Sequence, residues 1–396
     1  MAIAGVATCD RWPMKSRFAL ISPRIAVMFG AFIMLGLPEG VLGTAWPSIQ
    51  LSFDRPEADL AQLIIAYTVG YLVATSVIGR VVAGIGTDAT IRLGVAMTAV
   101  GLGLYAVSPV WALTLTAAVI LGAGAGVVDA SVNAEVALRH GQRTMNLLHA
   151  AFGVGASLGP LFITALLRFE ASWRIAYVTL AVIEVLILIG ITADRSDGVA
   201  ERSGKSANYG ALARRPKLVL VSTLVYFAFY VGSEVSVGHW SYSILTEVRG
   251  ESTTVAGIAV AAYWGGLTVG RLALGALGSR LHPMALLRCS GIVALVAVVW
   301  FAADVFGSLV ALPILGLAFA GTFPALVLMT SSWLPEEQVT RAVGWQLAAS
   351  SGGAIIASAT LGAIADRQGL DGTVTGIVVL VALLLGAHLF TEFATR

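Results

Sequence analysis

The sequence predicts an all-α membrane protein of twelve spanning helices, arranged as two related six-helix halves. Three observations carry this prediction. Hydrophobic residues make up 58% of the 396 and charged residues only 12%, with a mean hydropathy of +0.88, whereas a soluble domain carries about 25% charged residues. Twelve apolar segments approach the roughly 20 residues that cross a bilayer. Two short motifs also recur at equivalent segments of each half.

The apolar segments are continuous rather than alternating, which is typical of spanning helices and not of barrel strands. They are Ile25–Pro47, Ala61–Val82, Ile91–Val107, Trp111–Ala137, Leu147–Leu167, Ile175–Ile191, Leu218–Ile244, Ala256–Leu277, Leu286–Val305, Leu309–Trp333, Ala342–Ile364 and Val374–Leu389. The first has no small-residue cleavage site at its end, so we interpret it as an uncleaved anchor.

The distribution of Lys and Arg predicts the orientation, because positive residues collect in cytoplasmic loops. With the N-terminus inside, the predicted outer loops hold 5 of the 24 Lys and Arg residues. The cytoplasmic segments hold the other 19. Both termini are therefore predicted to be cytoplasmic. The domains are a cytoplasmic segment 1–24, a bundle 25–193, a polar cytoplasmic linker 194–217 and a second bundle 218–396.

Two motifs relate the halves. The pattern Gly-Arg-aliphatic-x-x-Gly contains Arg80 in the second segment and Arg271 in the eighth, 191 residues apart. Glu39 in the first segment and Glu234 in the seventh, 195 residues apart, each precede a glycine by four positions. Arg80 and Arg271 lie at predicted cytoplasmic helix ends, where arginine can lock a conformation by binding carbonyl groups or a carboxylate. Snorkelling to the interface is the alternative.

Acidic residues within apolar segments are costly and indicate function. Glu39 follows Pro38, which kinks the first helix, and is a candidate proton site. Asp129 and Asn133 are four apart and share a helix face. In an antiparallel hairpin Asp129 would face His149, and Asn133 would face Asn146. This cluster predicts a proton relay or substrate contact, or else a clamp between the fourth and fifth helices.

Further polar and aromatic residues are candidate ligand contacts. Tyr230 and Trp240 flank Glu234, and aromatic faces beside a carboxylate suit a sugar or a cation. They suit an interfacial aromatic belt equally well. Gln346 is a candidate for lining the cavity. The residues next to Glu184 in sequence are apolar and indicate no function for it.

The sequence shows no motif for nucleotide hydrolysis, metal binding or nucleophilic catalysis. There is no Gly-Lys-Ser/Thr phosphate loop, no paired metal ligands and no nucleophile elbow, so we predict neither an enzyme nor a metal or cofactor. The net charge of +2 and the two cysteines indicate neither a nucleic-acid partner nor a disulfide framework.

The sequence resembles the fucose/glucose:proton symporter-like branch of the major facilitator superfamily. The motifs that carry this resemblance are Gly124-x-Gly126-x-x-Asp129-x-x-x-Asn133, Asn146-Leu147-Leu148-His149-x-x-Phe152-Gly153-x-Gly155, Tyr230-Val231-Gly232-Ser233-Glu234 through Trp240, and Gly270-Arg271-Leu272.

The resemblance implies two pseudo-symmetric bundles and proton-coupled uptake of a neutral monosaccharide by alternating access. In the fucose symporter, acidic residues on helices 1 and 4 handle proton and substrate, and Glu39 and Asp129 occupy similar places here. The order of the two acid types is reversed, and residues 79–92 lack the usual Asp-Arg-x-Gly-Arg run.

We therefore expect Glu39, Asp129, Glu234 and His149 to couple protons, and Asn133, Asn146, Trp240, Gln346 and Tyr230 to bind substrate. The expected partners are a small solute, protons and the lipid of an inner (plasma) membrane, with a monomeric chain. Proton-driven export of drugs or metabolites, and a transport-inactive sensor or scaffold, are the alternative functions.

Overall fold

The computed structural model describes residues 23–139, 142–193, 216–277, 282–333 and 336–395, and within them every regular element is helical. The apolar segments form helices because a helix satisfies its backbone polar groups internally where lipid offers none. The helices are α1 Pro23–Phe53, α2 Leu60–Ile85, α3 Thr87–Val107, α4 Trp111–Arg139, α5 Gln142–Arg168, α6 Trp173–Ala193, α7 Pro216–Ser243, α8 Thr253–Leu277, α9 Pro283–Ala303, α10 Ala311–Phe319, α11 Thr322–Trp333 and α12 Glu336–Thr395.

The described residues contain 11 helical stretches that are long and apolar enough to cross a membrane, against the twelve predicted. The tenth predicted segment is divided into α10 and α11, and the last two are continuous in α12. The 60 residues of α12 would extend about 90 Å, roughly three times the hydrocarbon thickness of a bilayer. Its backbone is non-helical at Gly369, where φ is 73°, so a break lies between the two predicted segments.

Helix contacts follow two sets. In the first, α1 packs on α5, α4 packs on α2 and α3, and α3 packs on α6. In the second, α12 packs on α7 and α9, and α8 packs on α10. The sets meet through α5 and α8, α2 and α12, and α1 and α7. The predicted linker 194–217 lies outside the described residues except for its last two positions, which begin α7.

The glycines of α4 decide which helices it contacts. A Cβ atom on Gly122 would overlap the backbone of Tyr67 in α2, and one on Gly124 would lie 2.6 Å from the backbone nitrogen of Thr98 in α3. Small residues of this kind allow close helix approach in membranes. They direct α4 towards α2 and α3 rather than towards α5, which follows it in sequence.

Polar contacts close both ends of the first set. At the predicted outer end, Arg174 donates to the carbonyl oxygens of Ala106 and Ser108, each at 2.8 Å, and so completes the end of α3. At the predicted cytoplasmic end, Arg24 lies 2.6 Å from Asp88 and 2.9 Å from Glu135. These contacts fix the ends of α1, α3 and α4 relative to one another.

Candidate functional site

Glu39 lies where the two helix sets meet. Its Oε1 atom is 3.5 Å from Nε2 of His239 on α7, and the histidine side chain is buried. The approach of α1 to α7 depends on Gly43, where a Cβ atom would lie 2.7 Å from the Cα atom of His239. A carboxylate of one set therefore contacts an imidazole of the other.

Glu234 forms the second acidic pair. Its Oε1 atom is 3.6 Å from Nη2 of Arg271, and the two side chains are 11% and 12% exposed. The hydroxyl of Tyr263 donates to the backbone carbonyl of Glu234 at 2.8 Å, which joins α8 to α7. The hydroxyl of Tyr230 lies beside both members of the pair. Glu39 is close enough for its charge to act on Glu234.

The two motif arginines have different surroundings. Arg271 extends from α8 to the carboxylate of Glu234, one of the two partners that the sequence suggested for it. Arg80 is exposed and forms no ion pair with any residue that the structure describes. A gating role for both residues stays a prediction, and the ion pair supports it at Arg271 alone.

Asp129 is held by α2. The hydroxyl of Tyr71 donates to Oδ2 of Asp129 at 2.5 Å, and Nδ2 of Asn133 donates to Oδ1 at 2.9 Å. Asp129 and Asn133 thus share a face, as their spacing predicts. The hydroxyl of Tyr67, one turn before Tyr71, lies within electrostatic range of both Asp129 and Glu39.

The predicted contact between Asp129 and His149 is wrong. The ring of His149 instead packs edge-on against Phe32 at 5.8 Å and lies 6.4 Å from Phe323, measured between ring centroids. The hairpin assumption fails because α4 packs on α2 and α3, while α5 packs on α1 and α8. The side chain of Asn146, the other predicted hairpin contact, lies outside the described residues.

His149 belongs to an aromatic layer on the predicted cytoplasmic side of Glu39 and Glu234. The layer consists of Phe32, His149, Phe227 and Phe323. Phe227 and Phe323 meet edge-on at 5.3 Å. Since Phe32 and His149 come from the first helix set and the other two from the second, the layer joins the sets.

Gln346 is a contact between helices. Its side chain is fully buried, and its amide nitrogen donates to the hydroxyls of Thr223 at 3.0 Å and Thr330 at 2.9 Å. These bonds join α12 to α7 and α11. The geometry therefore gives no support to the expectation that Gln346 lines a cavity.

Glu184 is buried between α6 and α3. The hydroxyl of Thr98 donates to its Oε1 atom at 3.0 Å. Its second carboxylate oxygen is buried without a hydrogen bond to any described residue. The partner lies 86 positions away, so no local sequence pattern indicates it.

Several buried polar atoms lack a hydrogen-bond partner among the described residues. Trp240 and Tyr230, which the sequence predicts as ligand contacts, are fully buried and belong to this group. Trp264, which the sequence analysis misses, is another, and its ring packs against Gly238. The atoms of this kind on α1, α5, α7 and α8 are Arg24 Nε, Thr44 Oγ1, Gln50 Oε1, Thr164 Oγ1, Tyr230 OH, His239 Nε2, Trp240 Nε1, Ser241 Oγ, Ser243 Oγ and Trp264 Nε1. Unpaired groups of this kind are costly, so these donors and acceptors are available to water or to a polar ligand.

The structure also reveals contacts that the sequence conceals. Tyr71, His239 and Tyr263 each contact an acidic residue of another helix or its backbone. The aromatic pair 263–264 beside Gly265 in the middle of an apolar segment is the one visible signal. Tyr71 offers none, because the pairing of α2 with α4 is a property of the fold.

A family profile described as Major Facilitator Superfamily matches residues 28–315 and 242–394. The glucose/mannose transporter GlcP of Bacillus subtilis is 22% identical over 372 residues, which cover 90% of this chain and 92% of that protein. The E. coli fucose:proton symporter FucP shares the fold with a TM-score of 0.61 and 17% identity, over 94% of this chain and 98% of that one. The xylose transporter XylE of E. coli shares the fold with a TM-score of 0.72 and 13% identity, over 95% of this chain and 96% of that one.

Proposed function

This chain belongs to the Major Facilitator Superfamily, and we propose on that premise that it is a proton-coupled symporter of a small polar solute such as a monosaccharide. In this proposal twelve helices span a plasma membrane, both termini are cytoplasmic, and the monomer works by alternating access. The excess of Lys and Arg in the predicted cytoplasmic segments and the break at Gly369 support this topology. The relatives of this chain include a glucose/mannose transporter of Bacillus subtilis.

The observation that carries the proposal is that two intramembrane carboxylates near the boundary between the halves contact an imidazole and a guanidinium group. Glu39 contacts His239, and Glu234 contacts Arg271. A proton bound by Glu39 removes the negative charge of this carboxylate, and so changes the contact that links α1 to α7. A proton bound by Glu234 similarly releases Arg271. Because the two carboxylates act on each other, loading one changes the cost of ionising the other.

Asp129 is the third proposed proton site. Its two hydrogen bonds, from Tyr71 and Asn133, stabilise the charged carboxylate in a buried position. Tyr67 lies within range of both Asp129 and Glu39, which favours communication between these two acids. His149, without a carboxylate contact, belongs in this proposal to the cytoplasmic aromatic layer instead of the proton path.

The buried groups without partners support a polar solute. The indole nitrogens of Trp240 and Trp264 are donors only, and the hydroxyl of Tyr230 is donor and acceptor. A polyhydroxylated solute can satisfy the two indole donors, whereas an apolar drug would leave them unpaired. The hydroxyl of Tyr230 already lies beside Glu234 and Arg271. The rings themselves offer the apolar faces that a sugar ring contacts. These groups therefore favour uptake of a sugar-like solute over export of hydrophobic compounds.

Alternating access is supported by closures at both ends of the site. The aromatic layer of Phe32, His149, Phe227 and Phe323 joins the halves on the predicted cytoplasmic side. On the predicted outer side, a Cβ atom on Gly362 of α12 would lie 2.8 Å from the Cβ atom of Ala61 in α2. Rocking of the halves would open one closure while the other holds.

The test is solute uptake into proteoliposomes that contain the purified chain. We expect one or more labelled monosaccharides to accumulate when the outside is more acidic, and accumulation to stop when an ionophore removes the gradient. Asp129→Asn is expected to abolish driven accumulation while retaining exchange between solute pools, because exchange needs no net proton release. Asp54→Asn makes the same change at an exposed loop position and should behave as the wild type.

Other results would refute the proposal. Unchanged driven uptake in Asp129→Asn would make Asp129 a structural residue. Proton-driven expulsion of hydrophobic cations, with no response to sugars, would favour an exporter. Absence of flux for both solute classes in a folded protein would favour a sensor or scaffold.

A further inference from the structure

Two carboxyl groups from opposite halves meet at the predicted outer end of the molecule. Glu57 lies in the short 3-10 turn between α1 and α2, and Glu247 lies in the π turn Ile244–Val248 that follows α7. Their carboxyl groups are within hydrogen-bonding reach of each other. We call Glu57 and Glu247 the outer carboxyl pair.

The surroundings of Glu57 orient it towards its partner. Nε1 of Trp46 donates to Oε2 of Glu57 at 2.9 Å. The side chain of Gln50 also lies within hydrogen-bonding reach of this carboxyl group. The other oxygen, Oε1, is buried without a well-aligned hydrogen bond to a described residue. A protonated carboxyl of Glu247 would supply that hydrogen bond, because a carboxylic acid is a donor and a carboxylate is not.

The π turn gives Glu247 its position. A π turn contains one residue more than an α-helical turn and is common at functional sites. Glu247 in this turn is exposed, so its carboxyl group can exchange protons with the outer water. Two ionised carboxylates within hydrogen-bonding reach repel each other. The contact between Glu57 and Glu247 therefore holds only while the two groups share a proton.

The neighbouring arginines form ion pairs with other acidic residues. Arg55 is bound by Asp59 at 2.5 Å, and Arg249 lies 3.2 Å from Asp304. The other titratable groups on the elements that pack here are Tyr242 and Glu251 beside the π turn, and the exposed Asp366, Arg367 and Asp371 of α12. The charge that acts on Glu247 is that of Glu57.

The pair lies beside the tight outer contact between the halves. A Cβ atom on Gly362 of α12 would be 3.0 Å from the carbonyl oxygen of Ala58, the residue that follows Glu57. If Glu57 moves away from Glu247, Ala58 therefore moves relative to Gly362, and this contact between the halves changes.

We propose that Glu57 and Glu247 form a proton-operated latch that holds the outer ends of the two halves together. The latch is closed at low external pH, when one proton is shared, and is released as the external pH rises and the two carboxylates repel. This inference rests on the alternating access of the proposed function. It adds a proton-sensing element outside the central site.

The test measures the distance between the outer ends of the halves. Spin labels are placed at Phe169→Cys and Phe306→Cys, two exposed loop positions in opposite halves, in a Cys9→Ser, Cys289→Ser background in lipid nanodiscs. Distances are measured by electron–electron double resonance between pH about 5 and about 9, a range that covers a proton shared by two acids. We expect the closed population to fall relative to the open one by at least about tenfold, the effect of one pKa unit of linkage.

Glu247→Gln and Glu57→Gln are expected to stay closed across this range, since an amide keeps the hydrogen bond and cannot ionise. Glu251→Gln, the same change next to the latch, should retain the wild-type response. The proposal is overturned if the wild type shows no pH response, if both glutamine variants respond as the wild type does, or if Glu251→Gln loses the response. The uptake assay is independent: driven uptake with no distance response rejects the latch alone, whereas absence of any flux rejects the proposed function.

Discussion

The two copies of the Gly-Arg-aliphatic-x-x-Gly motif differ in what surrounds them. In α2, Gly79 has open space around its Cα atom and Arg80 is exposed. In α8, Gly270 faces α10 and the residue after it, and Arg271 forms an ion pair with Glu234. Equal local sequence at equivalent positions therefore does not give equal roles. Among the described residues, the motif arginine of the second half pairs with a central carboxylate and that of the first half does not.

The acidic residues show a related difference. Glu234 finds its cation within its own half, at Arg271, whereas Glu39 reaches across to His239 of the other half. Neutralising Glu39 thus changes a contact between halves, and neutralising Glu234 changes one within a half. The two acids therefore occupy similar positions in the sequence motifs but contact different kinds of partner.

The largest expected effect separates the two arginines. Arg271→Ala leaves the carboxylate of Glu234 buried and uncompensated, which we expect to destabilise the protein by about 3–5 kcal/mol and to abolish exchange and driven uptake. Arg80→Ala should change the stability by less than about 0.5 kcal/mol. Thermal unfolding in detergent and flux in proteoliposomes measure both. Restored stability in the double variant Arg271→Ala, Glu234→Gln would identify the lost ion pair as the cause, and equal effects of the two alanines would refute the asymmetry.

A second prediction concerns the two acids. Glu39→Gln is expected to lower driven accumulation at least about tenfold, within the usual range of coupling between sites, while exchange continues. Glu234→Gln should stop exchange as well, because Arg271 then lacks its counter-charge and holds the site in one conformation. Parallel counterflow and gradient-driven uptake distinguish the two outcomes. If both variants lose the same activities, a contact within one half and a contact between the halves do not differ in their effect on transport.

The smallest expected effect concerns the motif glycines. Gly270→Ala introduces a Cβ atom that overlaps the Cβ atom of Ala320, so we expect a loss of about 1–3 kcal/mol from overpacking. Gly79→Ala adds a methyl group in open space and should stabilise the helix by about 0.5–1 kcal/mol. Unfolding temperatures of the two variants measure this contrast. An equal loss of stability in both would show that the open space around Gly79 is filled in the membrane.

The sequence predicted the fold better than the site. Continuous apolar segments depend on local composition, and family membership and the 11 apolar stretches among the described residues agree with them. The orientation that the positive residues predict stays a prediction. The proximity of Asp129 and Asn133 follows from helical spacing alone and is confirmed. The predicted contact of Asp129 with His149 depended on a prediction that the fourth and fifth helices pack together along their length. That prediction was wrong.

The sequence by itself determined that this chain is helical, that it lies in lipid, and that a few carboxylates remain in the apolar segments. These properties follow from the hydropathy and spacing of residues near one another along the chain. Only the tertiary structure decided that Glu39 contacts His239, that Arg271 pairs with Glu234, and that Glu57 lies close to Glu247. The reason is that such partners lie on helices brought together by close backbone approach, at glycines such as Gly43. Which helices approach is a property of the whole packing arrangement.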